Sequence, residues 1–336
     1  MVTLPADDSP ARLRELVRTG RFREALDAYR EGPGRFASAD ARLLAATAAT
    51  RLAELDLGDA LAEEAVRRFA ERGDFDGRMR ALNLLGVIGF ERGRLVEAER
   101  RLTEALSIAY RLDDSLVAAR ACNNLASVAH LQGRPDEAVG LYRGALLGYQ
   151  RLGDRRGTAE TYHNLGLAYR QLADYEEAEK AVAQAVRHAE SVGEPGLMAL
   201  TAGGRAELRI DQGDAELARP ELERAARLAE VAGDVIGQAE LRRIRALAAL
   251  RQGHHEEAVE EAEAGRHTAA EHDVALLRAE CAALAALAQR ALGRGETAEE
   301  RRAEAVGIFR SLGAARLLQR FEREWDLVIL SEAKEP

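Results

Sequence analysis

Residues 153–181, GDRRGTAETYHNLGLAYRQLADYEEAEKA, contain the pattern that decides the fold. Apolar residues recur there at three- and four-residue spacing, and the rhythm breaks at Gly153 and Ala173, which predicts helices separated by short turns. A second copy lies forty residues earlier, in ACNNLASVAHLQGRPDEAVGLY, residues 121–142. A fixed period of this length is the signature of a repeat architecture.

Five columns of residues follow the forty-residue period along the chain. Three columns hold only Ala or Gly; they start at Ala46, Gly58 and Ala65, and each continues through seven positions. The other two start at Ala53 and Gly73 and hold Gly, Asp or Ala. Small residues inside helices let two backbones approach closely, whereas Gly and Asp suit the left-handed residue that ends a helix. Each repeat is therefore predicted to be a helix, a turn, a second helix and a second turn.

This pattern resembles the tetratricopeptide repeat. The clearest copy of the family's series of large and small residues is Tyr162, Leu165, Gly166, Tyr169, Ala173, Ala178, Val182 and Ala185. The neighbouring copy is Cys122, Leu125, Ala126, Ala129, Gly133, Ala138, Tyr142 and Ala145. The family period is about 34 residues, and the longer period here is similar to the repeats of kinesin light chains, spindle-orientation adaptors and bacterial regulators. The resemblance implies an all-α, right-handed α-solenoid of antiparallel helical hairpins.

The ends of the chain are expected to cap this solenoid. Residues 1–36 are predicted to form a capping helix pair and a link, with Ser9 as N-cap and Pro10 as the first helical residue. Residues 37–313 are predicted to form seven repeats, and residues 314–336 a capping helix and a tail. The terminal helix contains Trp325, the single tryptophan. We expect it either to cap the last repeat or to expose an apolar patch that forms a homodimer through the C-terminal helix.

Charge and composition narrow the classes of function. The 48 basic and 57 acidic residues give a net charge of −9, which disfavours a general nucleic-acid binder. No apolar stretch is long enough to cross a membrane. Two cysteines, Cys122 and Cys281, fit a reducing compartment and predict a cytoplasmic protein with both thiols buried.

The sequence predicts no catalytic, metal or cofactor site. It has no phosphate-binding loop, no G-x-G-x-x-G after a strand, no C-x-x-C and no G-x-S-x-G. The run His254-His255-Glu256-Glu257 lacks the second histidine of a zinc-binding H-E-x-x-H helix. We therefore expect a protein that is not an enzyme.

The resemblance implies that the first helix of each hairpin lines a concave groove that binds peptides. The residues predicted to contact such a peptide are Asn83, Asn123, Asn124, Ser127, His163, Asn164 and Arg170. Asparagine is a poor helix former, and its amide can both donate to and accept from an extended backbone. The alternative is that these asparagines only bond to neighbouring helices.

A second predicted site is an anion pocket formed by Arg205, Arg209, Arg243 and Arg245, beside the pair Gly203-Gly204. Arginine in a core column is costly unless it is paired or reaches solvent. The alternative is a local rotation of these helices, because Leu241, Ile244, Leu247 and Leu250 shift the apolar stripe by one position.

These features favour a protein-binding scaffold or adaptor that holds a segment of a partner protein or a peptide in its groove. The alternative is a peptide- or ligand-responsive sensor. Only about 36 residues precede the repeats, so a sensor is expected to act on a separate output protein.

Overall fold

The computed structural model describes residues 10–32 and 38–332, and over these residues it contains seventeen α-helices and no strand. The chain divides into two compact units, Met1–Asn124 and Leu125–Pro336. The first unit contains α1 (Pro10–Arg18), α2 (Phe22–Glu31), α3 (Ala39–Arg51), α4 (Leu55–Glu71), α5 (Phe75–Glu91), α6 (Leu95–Leu112) and the start of α7 (Ser115–Leu131). The second contains the end of α7, α8 (Pro135–Leu152), α9 (Arg155–Gln171), α10 (Tyr175–Val192), α11 (Pro195–Asp211), α12 (Ala215–Ala232), α13 (Val235–Arg251), α14 (His255–Glu271), α15 (Ala275–Ala291), α16 (Gly295–Ser311) and α17 (Ala315–Glu332).

The helix ends follow the two predicted turn columns. All fourteen residues of the columns that start at Ala53 and Gly73 have positive φ, and among the described residues only Gly20 shares this property. Four of the fourteen are Ala or Asp, with φ between 54° and 59°. The left-handed residue turns the chain back after each helix, so consecutive helices form antiparallel hairpins. The predicted all-α solenoid of hairpins is confirmed.

The three small-residue columns lie where the two helices of a hairpin meet. Ala98, Ala138 and Ala178 are fully buried. A Cβ built on Gly86 in α5 lies only 2.4 Å from Leu102 Cγ in α6, so these two helices leave no room for a methyl group at that position. The larger apolar residues fill the space on either side of these contacts.

The first unit begins with the predicted helix pair. Helices α1 and α2 both pack against α3, and Leu13, Leu16 and Leu26 join the core of this unit. Ser38 caps α3, because its hydroxyl accepts a hydrogen bond from the Ala41 amide. The predicted N-cap Ser9, residues 33–37 of the predicted link, and residues 333–336 of the predicted tail lie outside the described residues.

The second unit ends in helix α17, which packs against α15 and α16. Trp325 is 1% exposed and its ring lies 6.2 Å from that of Phe321. The guanidinium groups of Arg302 and Arg290 lie 5.2 Å and 5.9 Å from the Trp325 ring centroid. The tryptophan therefore belongs to the core of this unit, where α17 covers the last hairpin.

Candidate functional site

Three of the predicted peptide-binding residues, Asn83, Asn123 and Asn124, lie in the first unit and are half-buried. The Asn124 side-chain amide in α7 donates to the Asn83 side-chain oxygen in α5, at 3.3 Å. Asparagines on successive first helices therefore bond to each other. This contact uses one donor of Asn124, and the amide has further hydrogen-bonding capacity.

The other four predicted residues lie in the second unit. The Ser127 hydroxyl is 2.9 Å from that of Tyr142, so it is engaged within the unit. Asn164 is half-buried. His163 is only 8% exposed, and its ring fills the space beside Gly204, where an added Cβ would lie 2.6 Å from His163 Cε1. His163 is therefore a packing residue of α9 and α11, and it offers little surface to a ligand.

Arg170, the fourth of these residues, belongs to a buried chain of charges. Its guanidinium in α9 lies 2.9 Å from a Glu207 oxygen in α11 and 3.5 Å from Asp211. Arg243 in α13 donates two hydrogen bonds to the Glu207 carboxylate, at 2.9 and 3.1 Å. Arg243 also lies 3.7 Å from Glu280 in α15. Positive and negative side chains thus alternate across four successive first helices; we call Arg170, Glu207, Arg243 and Glu280 the charge chain.

Burial makes this chain dependent on its pairing. Glu207 is 4% exposed, and burial alone would raise its pKa, but Arg170 and Arg243 outweigh burial and hold the pKa well below its ordinary value. Burial raises the pKa of Glu280 to about 7, with Arg243 opposing the shift. A buried ion pair that loses one partner leaves an uncompensated charge in a medium of low dielectric constant.

The four arginines of the predicted anion pocket are paired with several separate carboxylates. Arg205 and Arg209 lie 3.1 Å and 2.7 Å from Glu221, and Arg245 lies 3.6 Å from Glu261. Arg243 belongs to the charge chain. Each arginine thus already has a carboxylate partner, and they do not surround one shared opening.

The packing around these arginines agrees with the predicted local rotation. Leu241, Ile244 and Leu247 are buried, while Arg245 is half-buried. Gly203 leaves room for the neighbouring helix, because an added Cβ would lie 3.1 Å from Leu241 Cδ2. The glycine pair therefore serves contacts between α11 and the side chains of α9 and α13.

A cavity of about 1290 Å³ opens in the second unit. Its walls come from the C-terminal ends of α7, α9, α11 and α13, the turns that follow α9, α11 and α13, and one face of α17. The lining residues that matter below are His130, Leu167, Arg170, Gln171, Asp211, Asp214, Glu216, Arg251, Arg316, Arg320, Arg323, Glu324 and Leu327. We call this space the α17 cavity.

Ion pairs hold helix α17 against the ends of α11 and α13, beside this cavity. Arg320 lies 3.6 Å from Asp211 at the end of α11 and donates to Glu324 at 3.1 Å. Arg251 at the end of α13 donates to Glu324 at 3.2 Å. Farther toward its start, the stem of Arg316 lies against Gly133, where an added Cβ would be 2.9 Å from Arg316 Cγ. One face of α17 therefore presents Arg316, Arg320 and Arg323 to the cavity at i, i+4, i+7 spacing.

Sequence reasoning missed this wall and the two acidic members of the charge chain, Glu207 and Glu280. Two features of the sequence could have indicated these residues. One is the row of arginines along the last helix, and the other is Glu207, which occupies a groove position in the repeat frame. The sequence does not indicate that α17 contacts the ends of α11 and α13.

Neither a metal site nor a membrane helix is found in the part of the chain that the structure describes. No group of three or more His, Cys, Asp or Glu residues is arranged to hold a metal ion within residues 10–32 and 38–332. None of the described helices is long and apolar enough to cross a membrane. Cys122 and Cys281 are free and buried, as predicted.

Comparisons with known proteins agree with this architecture. The family model described as tetratricopeptide repeat matches residues 117–191. No curated protein matched the sequence. A Rap protein complexed with Competence and Sporulation Factor aligns over 97% of this chain and 98% of its own, with 14% identity and a TM-score of 0.65. NprR in complex with its cognate peptide NprX aligns over 97% of both chains, with 13% identity and a TM-score of 0.65.

A third similar structure is the Rap conjugation gene regulator of plasmid pLS20 in complex with the Phr* peptide. It covers 85% of this chain and 76% of its own, with 18% identity and a TM-score of 0.66. At these identities the likeness establishes the fold. The chain therefore contains tetratricopeptide repeats, matched over residues 117–191, within a forty-residue frame that continues on both sides of that segment.

Proposed function

We propose that the chain is a non-enzymatic binding protein that holds a peptide segment in the α17 cavity. The observation that carries this proposal is the cavity itself. Its volume of about 1290 Å³ exceeds the roughly 300–1,000 Å³ of ordinary small-molecule sites. Its walls combine apolar residues such as Leu167 and Leu327 with arginines and carboxylates, a mixture that suits a peptide with side chains and a polar backbone.

The residues predicted from the sequence extend this site along α9. Asn164, Leu167 and Gln171 share one face of that helix at i, i+3, i+7 spacing. Leu167 and Gln171 line the cavity, so Asn164 stands one turn farther along the same face. We propose that its amide bonds to the backbone of the bound segment. Within the first unit by itself, Asn83, Asn123 and Asn124 remain proposed contacts of a peptide backbone.

Three structures with this fold, two of them complexes with a peptide by description, support a peptide as the ligand. The two buried free thiols support a cytoplasmic location. Trp325 is buried, so a homodimer through α17 would have to use other residues of that helix, such as Leu327, which is 65% exposed.

A peptide-responsive regulator that acts on a separate output protein remains the second candidate function. The charge chain and the ion pairs of Arg320 favour it, because they link α9, α11, α13, α15 and α17 to the wall of the cavity. A ligand that displaced Arg320 from Asp211 would alter contacts across these helices.

The test is affinity selection from a mixture of synthetic heptapeptides of randomised sequence. The full chain is incubated with the mixture, separated by gel filtration, and the retained peptides are identified by mass spectrometry. We expect the wild type to retain a defined subset, and Leu167→Glu to lose it, because the new carboxylate would stand in the cavity. Asn164→Ala should weaken binding about tenfold through loss of a buried hydrogen bond.

The matched control is Gln150→Ala, which removes an exposed amide from α8 and should retain the wild-type subset. Helical circular dichroism of each variant shows whether it is folded. Retention of no peptide by the wild type, or of the same subset by a folded Leu167→Glu variant, contradicts the proposal.

A further inference from the structure

One end of the α17 cavity holds polar atoms that have no partner within the described residues. His130 Nδ1 and Gln171 Oε1 are buried, and neither atom forms a hydrogen bond with a described residue. Buried polar atoms in folded proteins are nearly always hydrogen-bonded, so each such atom requires an explanation. Both residues line the cavity, which suggests that a ligand supplies their partners.

The same end of the cavity contains a cation that no carboxylate neutralises. Arg316 forms no ion pair with any described residue, although it lines the cavity and is exposed. The nearby carboxylates are already engaged, since Asp211 pairs with Arg170 and Arg320. Glu324 pairs with Arg251 and Arg320.

The positive charge at this end also acts on His130. Burial, together with the charges of Arg170 and Arg316, lowers the pKa of His130 to about 4. The imidazole is therefore neutral at physiological pH, and one of its nitrogens is a donor. His130, Arg170, Gln171 and Arg316 thus surround a region that has an excess of donors and one isolated acceptor, Gln171 Oε1.

We propose that this end of the α17 cavity binds the free carboxyl terminus of the peptide, with Arg316 as the partner of the α-carboxylate. This inference rests on the proposed function. His130 Nδ1 donates to the carboxylate, and Gln171 Oε1 accepts from the last backbone N–H. A carboxylate bound by arginine forms charge-assisted hydrogen bonds, the strong class of polar contact.

The acceptor Gln171 Oε1 favours the carboxyl terminus of a peptide over other anions. A phosphate monoester has a second pKa of about 6, so it is mostly a dianion at neutral pH; the dianion offers only acceptors and leaves Gln171 Oε1 without a donor. The side chain of Asp or Glu places a methylene group beside its carboxylate, whereas the terminal residue of a peptide carries an N–H next to its own. The other acids of the cavity, Asp214 and Glu216, lie on the turn after α11 and at the start of α12. Glu216 accepts a hydrogen bond from Gln252 there.

The experiment uses two synthetic batches of the same randomised heptapeptides, one with free carboxyl termini and one amidated. Peptides retained by the wild type are then made individually in both forms, and their dissociation constants are measured by calorimetry. We expect the free acid to bind at least tenfold more tightly than the amide. In Arg316→Gln this ratio should fall below twofold.

Arg323→Gln is the matched control, because it removes the same charge from the same face of α17, two turns away. Arg323 also lines the cavity and forms no ion pair with a described residue; it donates only to the Gln319 carbonyl. The acid-to-amide ratio in Arg323→Gln should stay within threefold of the wild type. An equal loss in both variants would mean a diffuse electrostatic effect and would overturn the proposal.

The remaining outcomes separate this inference from the proposed function. Peptides retained equally as acid and amide, or selected for an internal Asp or Glu in both batches, support the proposed function and reject the carboxyl-terminal site. Retention of no peptide from either batch rejects both.

Discussion

At the scale of single residues, His163 shows how a groove position can become a packing position. Its ring is buried beside Gly204, and its pKa is lowered to about 4. Burial is the main cause of this shift; the Glu207 charge opposes it and the Arg170 charge adds to it. The folded protein therefore keeps His163 neutral, whereas the unfolded chain binds a proton at the ordinary value of 6.5.

This difference predicts a loss of stability in acid. Below pH 6.5 the unfolded state binds more protons than the folded state, so the free energy of unfolding falls as the pH falls toward 4. For one histidine with these values the loss is about 2 kcal/mol between pH 7.5 and pH 5. We expect His163→Gln to abolish this part of the pH dependence. The measurement is the free energy of unfolding in urea at the two pH values, followed by Trp325 fluorescence.

The exposed His267 supplies the control. Its side chain is 71% accessible, so His267→Gln should keep the wild-type pH dependence. His130, whose pKa is also lowered to about 4, contributes in all three proteins. An unchanged pH dependence in folded His163→Gln would show that His163 is not the group responsible.

At the scale of helices, the small-residue columns set how closely the two helices of a hairpin approach. Alanine normally stabilises a helix relative to glycine by about 1 kcal/mol. At Gly86 the added methyl group would lie 2.4 Å from Leu102 Cγ, and overpacking of this kind costs about 1–3 kcal/mol. We therefore expect Gly86→Ala to lower the free energy of unfolding despite its better helix propensity.

Gly140 in α8 provides the opposite case. No atom lies within 4 Å of a Cβ built there, so Gly140→Ala should raise stability by about 0.5–1 kcal/mol. Urea unfolding followed by circular dichroism at 222 nm measures both variants. A stabilising effect of the same size at both positions would show that the α5–α6 contact adapts without strain.

The turns and the hairpin contacts could be predicted because they depend on local chemistry repeated at a fixed spacing. Every residue of the columns that start at Ala53 and Gly73 adopts the left-handed conformation, including Ala173 and Asp113. The position of α17 could not be predicted in this way. Its contacts join residues far apart in sequence, such as Arg320 with Asp211, and no periodicity encodes such a pair.

The candidate site, too, could be predicted only where it depends on helical spacing. The repeat frame selected the face of α9 that carries Arg170, and Arg170 lines the α17 cavity, because that face follows from helical spacing. It also placed His163 and Ser127 in the groove, yet both are engaged within the unit. Which groove positions are accessible depends on the side chains of adjacent repeats, and Gly204 admits the His163 ring only in the folded stack.

At the scale of the second unit as a whole, the charge chain couples four hairpins. Glu207 is the member with two arginine partners, Arg170 and Arg243. Glu207→Gln keeps the shape and removes the charge, which leaves both guanidinium groups without their shared counter-charge. We expect a loss of about 3–5 kcal/mol in the free energy of unfolding, because breaking a buried ion pair strands its partners.

Trp325 fluorescence in urea reports this loss, since the single tryptophan lies in the same unit. Glu230→Gln, an exposed change in α12, should alter stability by less than about 0.5 kcal/mol. A loss this small in Glu207→Gln would mean that Asp211, Glu240 and Glu280 suffice to balance the arginines.

The alternation of charge in the second unit also limits how its repeats can vary in number. In many repeat proteins, units with the same frame can be added or lost because each contacts only its neighbours. Removing residues 195–234 here would preserve the forty-residue frame and the turns of the remaining repeats. It would also delete Glu207 and make the helix of Arg170 the neighbour of the helix of Arg243. Two like charges would then meet in a buried position. Electrostatics therefore fixes the order of these hairpins. A chain with a hairpin duplicated or deleted in this unit would need a compensating change of charge to fold stably.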